Sequence, residues 1–224
     1  MRDDLLTINF FEGEHSIAYK SLLEFNYPWE AVSKIGEIVR TLARNLGDDF
    51  EEIAEGVYVF TDVKVPKSAH ISPPTIICEG AEIRHGAYIR GNVIIGKGAV
   101  VGNSCEIKNS ILFDGACVPH FSYVGDSIIG YKSHLGAGAI ISNLKGDKSN
   151  VSIKRNGETI ATVGRKLGAI LGDGVEVGAG SILNPGTVVF SGARIYPLSS
   201  VRGTIERDVI YKSKENIIKQ KRGN

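Results

Sequence analysis

ISPPTIICEGAEIRHGAYIRGNVIIGKGAVVGNSCEIKNSIL, residues 71–112, carries a branched aliphatic residue at every sixth position: Ile71, Ile77, Ile83, Ile89, Ile95, Val101 and Ile107. Four residues after each stands something small or β-branched: Thr75, Ala81, Ala87, Val93, Ala99, Cys105 and Ile111. Gly80, Gly86, Asn92 and Gly98 fall between them. A period of six fits no α-helix, whose turn takes ~3.6 residues. It fits a solenoid in which each hexapeptide is one short strand plus one corner, and three of them close a triangular coil of eighteen residues. The aliphatic residue points inward and stacks on its equivalent one coil away, at ~4.8 Å.

The pattern slips by one residue and resumes at Leu112, Val118 and Val124, then slips again to Ile129, Leu135 and Ile141. After a break it returns as Leu171, Val177, Leu183, Val189, Ile195 and Val201. The expected fold is mainly β: a parallel β-helix of hexapeptide repeats. Such helices are normally left-handed, an exception to the right-handed crossover rule, and that hand belongs to the class rather than to this sequence. The break holds VSIKRNGETIATV (151–163), two alternating runs around Asn156-Gly157, which predicts a hairpin in a protruding loop over 142–170. A loop of that length on a solenoid is either functional or decorative.

The first 50 residues read differently. LLTINFF (5–11) predicts a strand. YPWEAVSKIGEIVRTLARNLG (27–47) predicts a helix, with Trp29, Val32, Ile35, Ile38, Val39, Leu42 and Leu46 on one stripe, Pro28 at its start and Gly47 at its end. This helix is expected to pack over the open end of the solenoid, where strand edges would otherwise be bare. Three segments follow: 1–56, an N-terminal strand and helical cap; 57–206, the β-helix; and 207–224, a charged tail expected as a loose helix or as an arm crossing to a neighbour.

Composition narrows the function. Lys plus Arg number 26 against 25 Asp plus Glu, a net charge of +1 that supports neither a nucleic-acid partner nor a membrane surface. Cys78, Cys105 and Cys117 are odd in number and show no metal spacing, as expected of reduced thiols. MRDDLL places acids where a signal peptide is basic, so a cytoplasmic location is expected. Any anion site must be local. Arg90 and Lys108 are eighteen apart, each directly after a core aliphatic, and so should stack outward on adjacent coils. Two stacked cations either clamp a phosphate or are neutralised by carboxylates such as Glu106. In CVPHFSYVGD (117–126), His120 and Tyr123 are three apart. An imidazole on an outer face near cations suits a general base, although an exposed histidine is more often inert. His85, His120 and His134 lack the close pairing of a zinc site, so no metal is expected.

IRGNVIIGKGAVVGNSCEIKNS (89–110), HFSYVGDSIIG (120–130), HLGAGAIISNLK (134–145) and GRKLGAILGDGVEVGAGS (164–181) together resemble the acetyltransferase domain of bifunctional N-acetylglucosamine-1-phosphate uridyltransferases. More particularly they resemble archaeal-type sugar-1-phosphate nucleotidylyltransferases, and YPWE and GVYVF resemble the linker of those enzymes. The likeness runs over about 28–205. It implies acetyl-CoA as co-substrate, a hexosamine 1-phosphate as acceptor with glucosamine 1-phosphate first, and a homotrimer with sites between subunits. It implies that His120 is the base, that Arg90 and Lys108 hold the 1-phosphate, and that Tyr123, His134 and Asn143 contact the phosphate or sugar. Ala137 and Ala179 would line the acetyl-CoA groove, with Arg165 and Lys166 placed for phosphate or CoA. No L-x-x-G-x-G-T-R segment is present, so uridylyl transfer is not expected. The bacterial members have Asn where this chain has His134, and Tyr where it has Leu144, which leaves the acceptor sugar open. Another acyltransferase, or a non-catalytic sugar-phosphate binder, are the competing readings.

Overall fold

The computed structural model describes residues 3–162 and 164–220. From residue 57 the chain winds as a left-handed parallel β-helix whose short strands stack on three faces. The first face stacks Val57–Phe60, Thr75–Ile77, Val93–Ile95, residues 110–112, residues 127–129, Ala169–Leu171, Thr187–Val189 and Thr204–Ile205. The second stacks Glu82–Ile83, Val100–Asn103, Cys117–His120, His134–Leu135, Glu176–Val177, Arg194–Ile195 and Val209–Ser213. The third stacks His70–Ile71, Tyr88–Ile89, residues 106–107, residues 123–124, Ile140–Ile141, Ile182–Leu183 and Ser200–Val201. The repeat aliphatics from Ile77 to Val201 all point inward and are buried, each packed on its equivalent in the next coil.

The one-residue slips have a structural cause. Ile89 pairs with Ile107, eighteen residues on, but Val93 pairs with Ser110, seventeen on. The residue is lost at the corner between the third and first faces, where Arg90-Gly91-Asn92 shortens to Lys108-Asn109. A shorter corner must turn more sharply. Asn109 and Asp126 accordingly take left-handed backbone at φ 47° and 51°. Asn and Asp accept that conformation better than other residues with a Cβ.

The first face differs from the others because its strands are buried on both sides. Ile76, Ile94, Ile111, Ile128, Ile170 and Val188 point outward yet are fully buried under the N-terminal segment. That segment holds α1 (Tyr19–Leu22), α2 (Pro28–Val32) and α3 (Ile35–Ala43). The predicted 27–47 helix is thus broken at Ser33-Lys34, and it lies along a side face rather than over the open end. The apolar face of the sheet is a larger sink for Trp29, Val32, Ile35 and Val39 than a ring of strand edges. The strand predicted over 5–11 is absent. Two 3₁₀ turns, Asp3–Leu5 and Thr7–Asn9, lead instead into Phe10 and Phe11, which stack on Phe190 and Phe113 at 4.6 Å each. Those ring pairs need a chain that crosses the coils, not one that pairs with them.

The hairpin around Asn156-Gly157 is present, with Ser152–Arg155 pairing Glu158–Ala161 and both turn residues at positive φ. It folds back on the first face through buried Val151 and Ile153. Arg155 is 8% exposed, ion-paired to Asp4 at 2.6 Å and Glu206 at 2.8 Å, and seated over the Phe190 ring. The N-terminal boundary expected at 56/57 falls inside a hairpin that joins Phe50–Ala54 to Val57–Phe60. Over its described residues the tail forms no helix: Val209–Ser213 continues the second face and turns back as Asn216–Lys219. Tyr211 is 5% exposed and plugs the last coil, which extends the core past the expected end at 206. Residues 221–224 of the expected tail, and Met1 and Arg2 of the acidic start, lie outside the described residues. No helix among the described residues is long and apolar enough to cross a membrane.

Burial pushes the Cys78 thiol up to about 12 and raises Cys105 and Cys117 as well, but Cys117 is only half-buried and is the thiol a reagent can reach. The thiolate is the reactive form. A disulfide reagent at pH 8 should therefore label one thiol of the native protein well before the other two, and all three after denaturation. Rapid native labelling of two or three would contradict this packing.

Candidate functional site

The expected site residues fall into two groups on different corners of the coil. The corner between the second and third faces forms a single column. The amide of Phe121 donates to Asn103 O, Gly138 to His120 O, Gly180 to Ala137 O and Leu198 to Ala179 O, at 2.9 Å in every case. His120, Ala137 and Ala179 are therefore direct neighbours from coil to coil, and all three are exposed. His120 ends its strand just before Phe121, whose positive φ of 52° makes the corner. Among the described residues the Ala137 N–H donates to no acceptor, whereas the amides of Gly136 and Gly138 on either side are bonded to Val177 O and His120 O. One unspent backbone donor thus lies on the coil next to His120.

His134 belongs to this side of the coil. It lies on the second face in register with Cys117 and Glu176, and its Nδ1 lies 3.2 Å from the Glu176 carboxylate. Both line a groove of about 490 Å³ that runs past Gly136 and Gly178 to Ala179, Tyr196 and Pro197.

The second group gathers at the shortened corner between the third and first faces. Its centre is Asp126, a residue that the sequence reading quoted but gave no role. The Asp126 side chain is 5% exposed, and both its oxygens lie 3.1 Å from Lys108 Nζ. It also accepts from Asn109 Nδ2 at 2.8 Å and from the Asn143 amide. Asn109 Nδ2 lies 3.1 Å from the Val32 carbonyl as well, which ties this corner to α2. A carboxylate this deeply buried is stable only when so fully paired. Gly125 has no room for a side chain, because a Cβ there would come within 2.5 Å of the Tyr123 hydroxyl and 2.7 Å of Asn143 Nδ2. Tyr123 and Asn143 therefore close over the glycine. Burial first, then Asp126 and Glu106, raise the Tyr123 phenol above its ordinary value.

Arg90 and Lys108 do stack as the spacing predicts: Arg90 N donates to Ile107 O at 2.8 Å. Both are neutralised, however. Arg90 pairs with Glu106 at 2.6 Å and Lys108 with Asp126, so two cations meet two carboxylates. Lys108 keeps an N–H, since an ammonium has three and Asp126 offers two oxygens. Arg165 and Lys166 join this corner rather than the Ala137–Ala179 column. They are exposed at the neck of the loop and line a groove of about 410 Å³ with Asn109, Asp126, Leu144 and Lys148. The neck is pinned by a bridge between Leu144 and Lys166 and by Leu167 N to Asn143 O at 3.0 Å. Among the described residues no group of three or more His, Cys, Asp or Glu is placed to hold a metal ion.

Within one chain the third face separates the two groups, a span of six residues from His120 to Asp126. That is up to about 20 Å of chain. Among the described residues no side-chain hydrogen bond, ion pair or ring contact joins them.

This fold, with polar groups collected at two corners, defines a hexapeptide-repeat β-helix whose chemistry sits outside its core. The chain belongs to the GMPPB C-terminal domain family, whose sequence model matches residues 71–207. It is 31% identical over 215 residues to a bifunctional sugar-1-phosphate nucleotidylyltransferase/acetyltransferase of Sulfurisphaera tokodaii, covering 91% of this chain and 52% of that protein. It is 42% identical over 137 residues to the bifunctional protein GlmU of Methanococcus maripaludis strain C5, covering 61% of this chain and 33% of the relative. The chain thus spans about half or less of these relatives. Among solved structures it is similar to AntD, an N-acyltransferase from Bacillus cereus in complex with dTDP-4-amino-4,6-dideoxyglucose and coenzyme A. That likeness has 18% identity and a TM-score of 0.39, and covers 81% of this chain and 89% of that one.

Asp126 gives the corner its order, and its removal has a defined outcome. Asp126→Ala leaves Lys108 half-buried without a counter-ion and should cost about 3–5 kcal/mol in urea unfolding. Asp126→Asn, which keeps the shape, should cost less. Equal stability of the alanine variant and the native protein would show that the network is not holding the corner.

Proposed function

We propose that this chain transfers the acetyl group of acetyl-CoA to the amine of a hexosamine 1-phosphate, glucosamine 1-phosphate first, as a step in nucleotide-sugar synthesis in the cytoplasm. The observation that carries the reading is the column in which His120 stands directly over Ala137, with Ala179 one coil further on. A thioester lying along that column would have an imidazole and an unspent amide N–H at one end.

The amine of a hexosamine is protonated at neutral pH and must give one proton to solvent before it attacks as the free amine. His120 Nε2 or Nδ1 takes a proton from the attacking nitrogen as the C–N bond forms. The tetrahedral oxyanion is met by the Ala137 N–H, a backbone donor already in place. Collapse breaks the C–S bond, CoA leaves as a thiolate, and the imidazolium returns the proton to it. The acceptor is held at the other corner. There Lys108 uses its remaining N–H on the 1-phosphate, and Arg90, which is 40% exposed, turns from Glu106 to the same group. Tyr123 and Asn143 contact the sugar. Because one chain keeps the two corners apart, a complete site needs a second copy, which fits a homotrimer with sites at its seams. Positioning of the amine against the thioester contributes alongside the base.

A second reading has its own observation. Arg90 and Lys108 are both already neutralised, which favours an acceptor that carries no phosphate at that corner, such as another amino sugar or a nucleotide sugar.

Release of free CoA thiol from acetyl-CoA separates the two. With glucosamine 1-phosphate the native chain should release thiol rapidly, and glucosamine without phosphate should not replace it. His120→Ala should lower kcat by about 10²–10⁴-fold and change KM less. Full rate in that variant would remove His120 from the mechanism. Equal rates with and without the 1-phosphate would favour the second reading.

A further inference from the structure

The hairpin loop and the last coils enclose a groove of about 540 Å³ that adjoins the Asp126 corner at Leu144 but holds none of its charged residues. One wall is Ser142 with Leu144 to Asp147, the second is Ser152 and Lys154 of the hairpin, and the third is the pair of corners Asn184–Gly186 and Arg202–Gly203. The hairpin is fixed against those corners. Thr204 Oγ1 donates to Lys154 O at 2.7 Å, and a Cβ on Gly186 would meet Ser152 O at 2.7 Å. The groove is therefore built into the docked loop.

Its charge is unlike that of the site described above. Lys145, Lys154 and Arg202 face Asp147 alone, a surplus of two in a chain whose net charge is +1. Asp147 is occupied by the amide and hydroxyl of Ser149, at 2.9 and 2.8 Å. Lys145 bonds Ser149 Oγ and Asn150 O, both uncharged acceptors, and Arg202 bonds only Asn184 Oδ1 at 3.1 Å. Lys154 has no side-chain partner among the described residues. Among the described residues none of the three cations forms an ion pair, in contrast to Arg90 and Lys108. Cations held by neutral acceptors keep their full charge for a ligand.

We infer that this groove binds the diphosphate of a diphosphate-bearing ligand, with Lys154 and Arg202 as the principal contacts. Both coenzyme A and a nucleotide sugar carry that group. The site itself does not depend on the acetyl-transfer reading, because it is tested by binding alone.

The probe is inorganic pyrophosphate, titrated calorimetrically at low ionic strength into the full chain. Native protein should bind it saturably, and added salt should weaken the binding. Lys154→Ala with Arg202→Ala should weaken it at least about tenfold while leaving the thermal midpoint close to native; both side chains are exposed. Lys67→Ala, exposed and outside the groove, should bind as native. Displacement of bound pyrophosphate by acetyl-CoA would identify the co-substrate as the occupant, and displacement by a UDP-sugar would identify a nucleotide sugar. Displacement by neither would overturn the ligand class. Absence of saturable pyrophosphate binding to native protein, or native affinity in the folded double variant, would overturn the site.

Discussion

Stacking of one inward aliphatic residue on its counterpart a coil away fixes the position of every other side chain. Ile89 on Ile107, or Val124 on Ile141, is a parallel pair that leaves no freedom in register. A shift of one residue would turn the whole core face outward. When the sequence drops a residue, the coil must therefore absorb the loss at a corner. It does so at Lys108-Asn109 and again at Gly125-Asp126. There the tight turn carries left-handed Asn109 and Asp126, and the Asp126 carboxylate comes to rest out of solvent. The polar cluster follows from a packing constraint, and the chemistry proposed for it uses what that constraint supplies.

The same register explains why the two groups of site residues are separate. Strands on one face cannot slide, so His120 is held to its column with Ala137 and Ala179, and Lys108 to the other corner. The amide ladder that aligns the first group and the carboxylate that ties the second are both backbone-rigid. Neither needs a mobile lid. The loop that looks most like a lid is instead docked, with Arg155 held by Asp4 and Glu206 and its apolar side chains spent on the first face.

Much of this was legible in the sequence. The period of six gives the solenoid, and Asn156-Gly157 gives the hairpin. The spacing of Arg90 and Lys108 gives their stacking, but not whether Glu106 or a ligand would neutralise them, since both answers obey the same spacing. The role of Asp126 is not legible in the sequence, because an acidic residue in a corner motif usually faces water. Its burial depends on a residue deleted from the corner. The place of the N-terminal helices had a readable signal. First-face strands run as unbroken apolar triplets such as VII at 93–95 and AIL at 169–171, the mark of a strand buried on both sides. Second-face strands instead carry Glu82, Glu176 and Arg194 on the outside. LLTINFF does not form a strand because its adjacent rings, Phe10 and Phe11, are both spent on stacking across coils rather than on strand pairing.

The central claim is that acetyl transfer needs the His120 corner of one copy and the Lys108 corner of another. Subunit mixing tests it most directly. His120→Ala and Lys108→Gln chains, each inactive alone, would be mixed under conditions shown to exchange subunits, and CoA thiol release from acetyl-CoA and glucosamine 1-phosphate followed. Random mixing in equal amounts should restore about a quarter of the native sites, because only one pairing in four brings together two intact corners. No recovery after demonstrated exchange would contradict a site shared between copies.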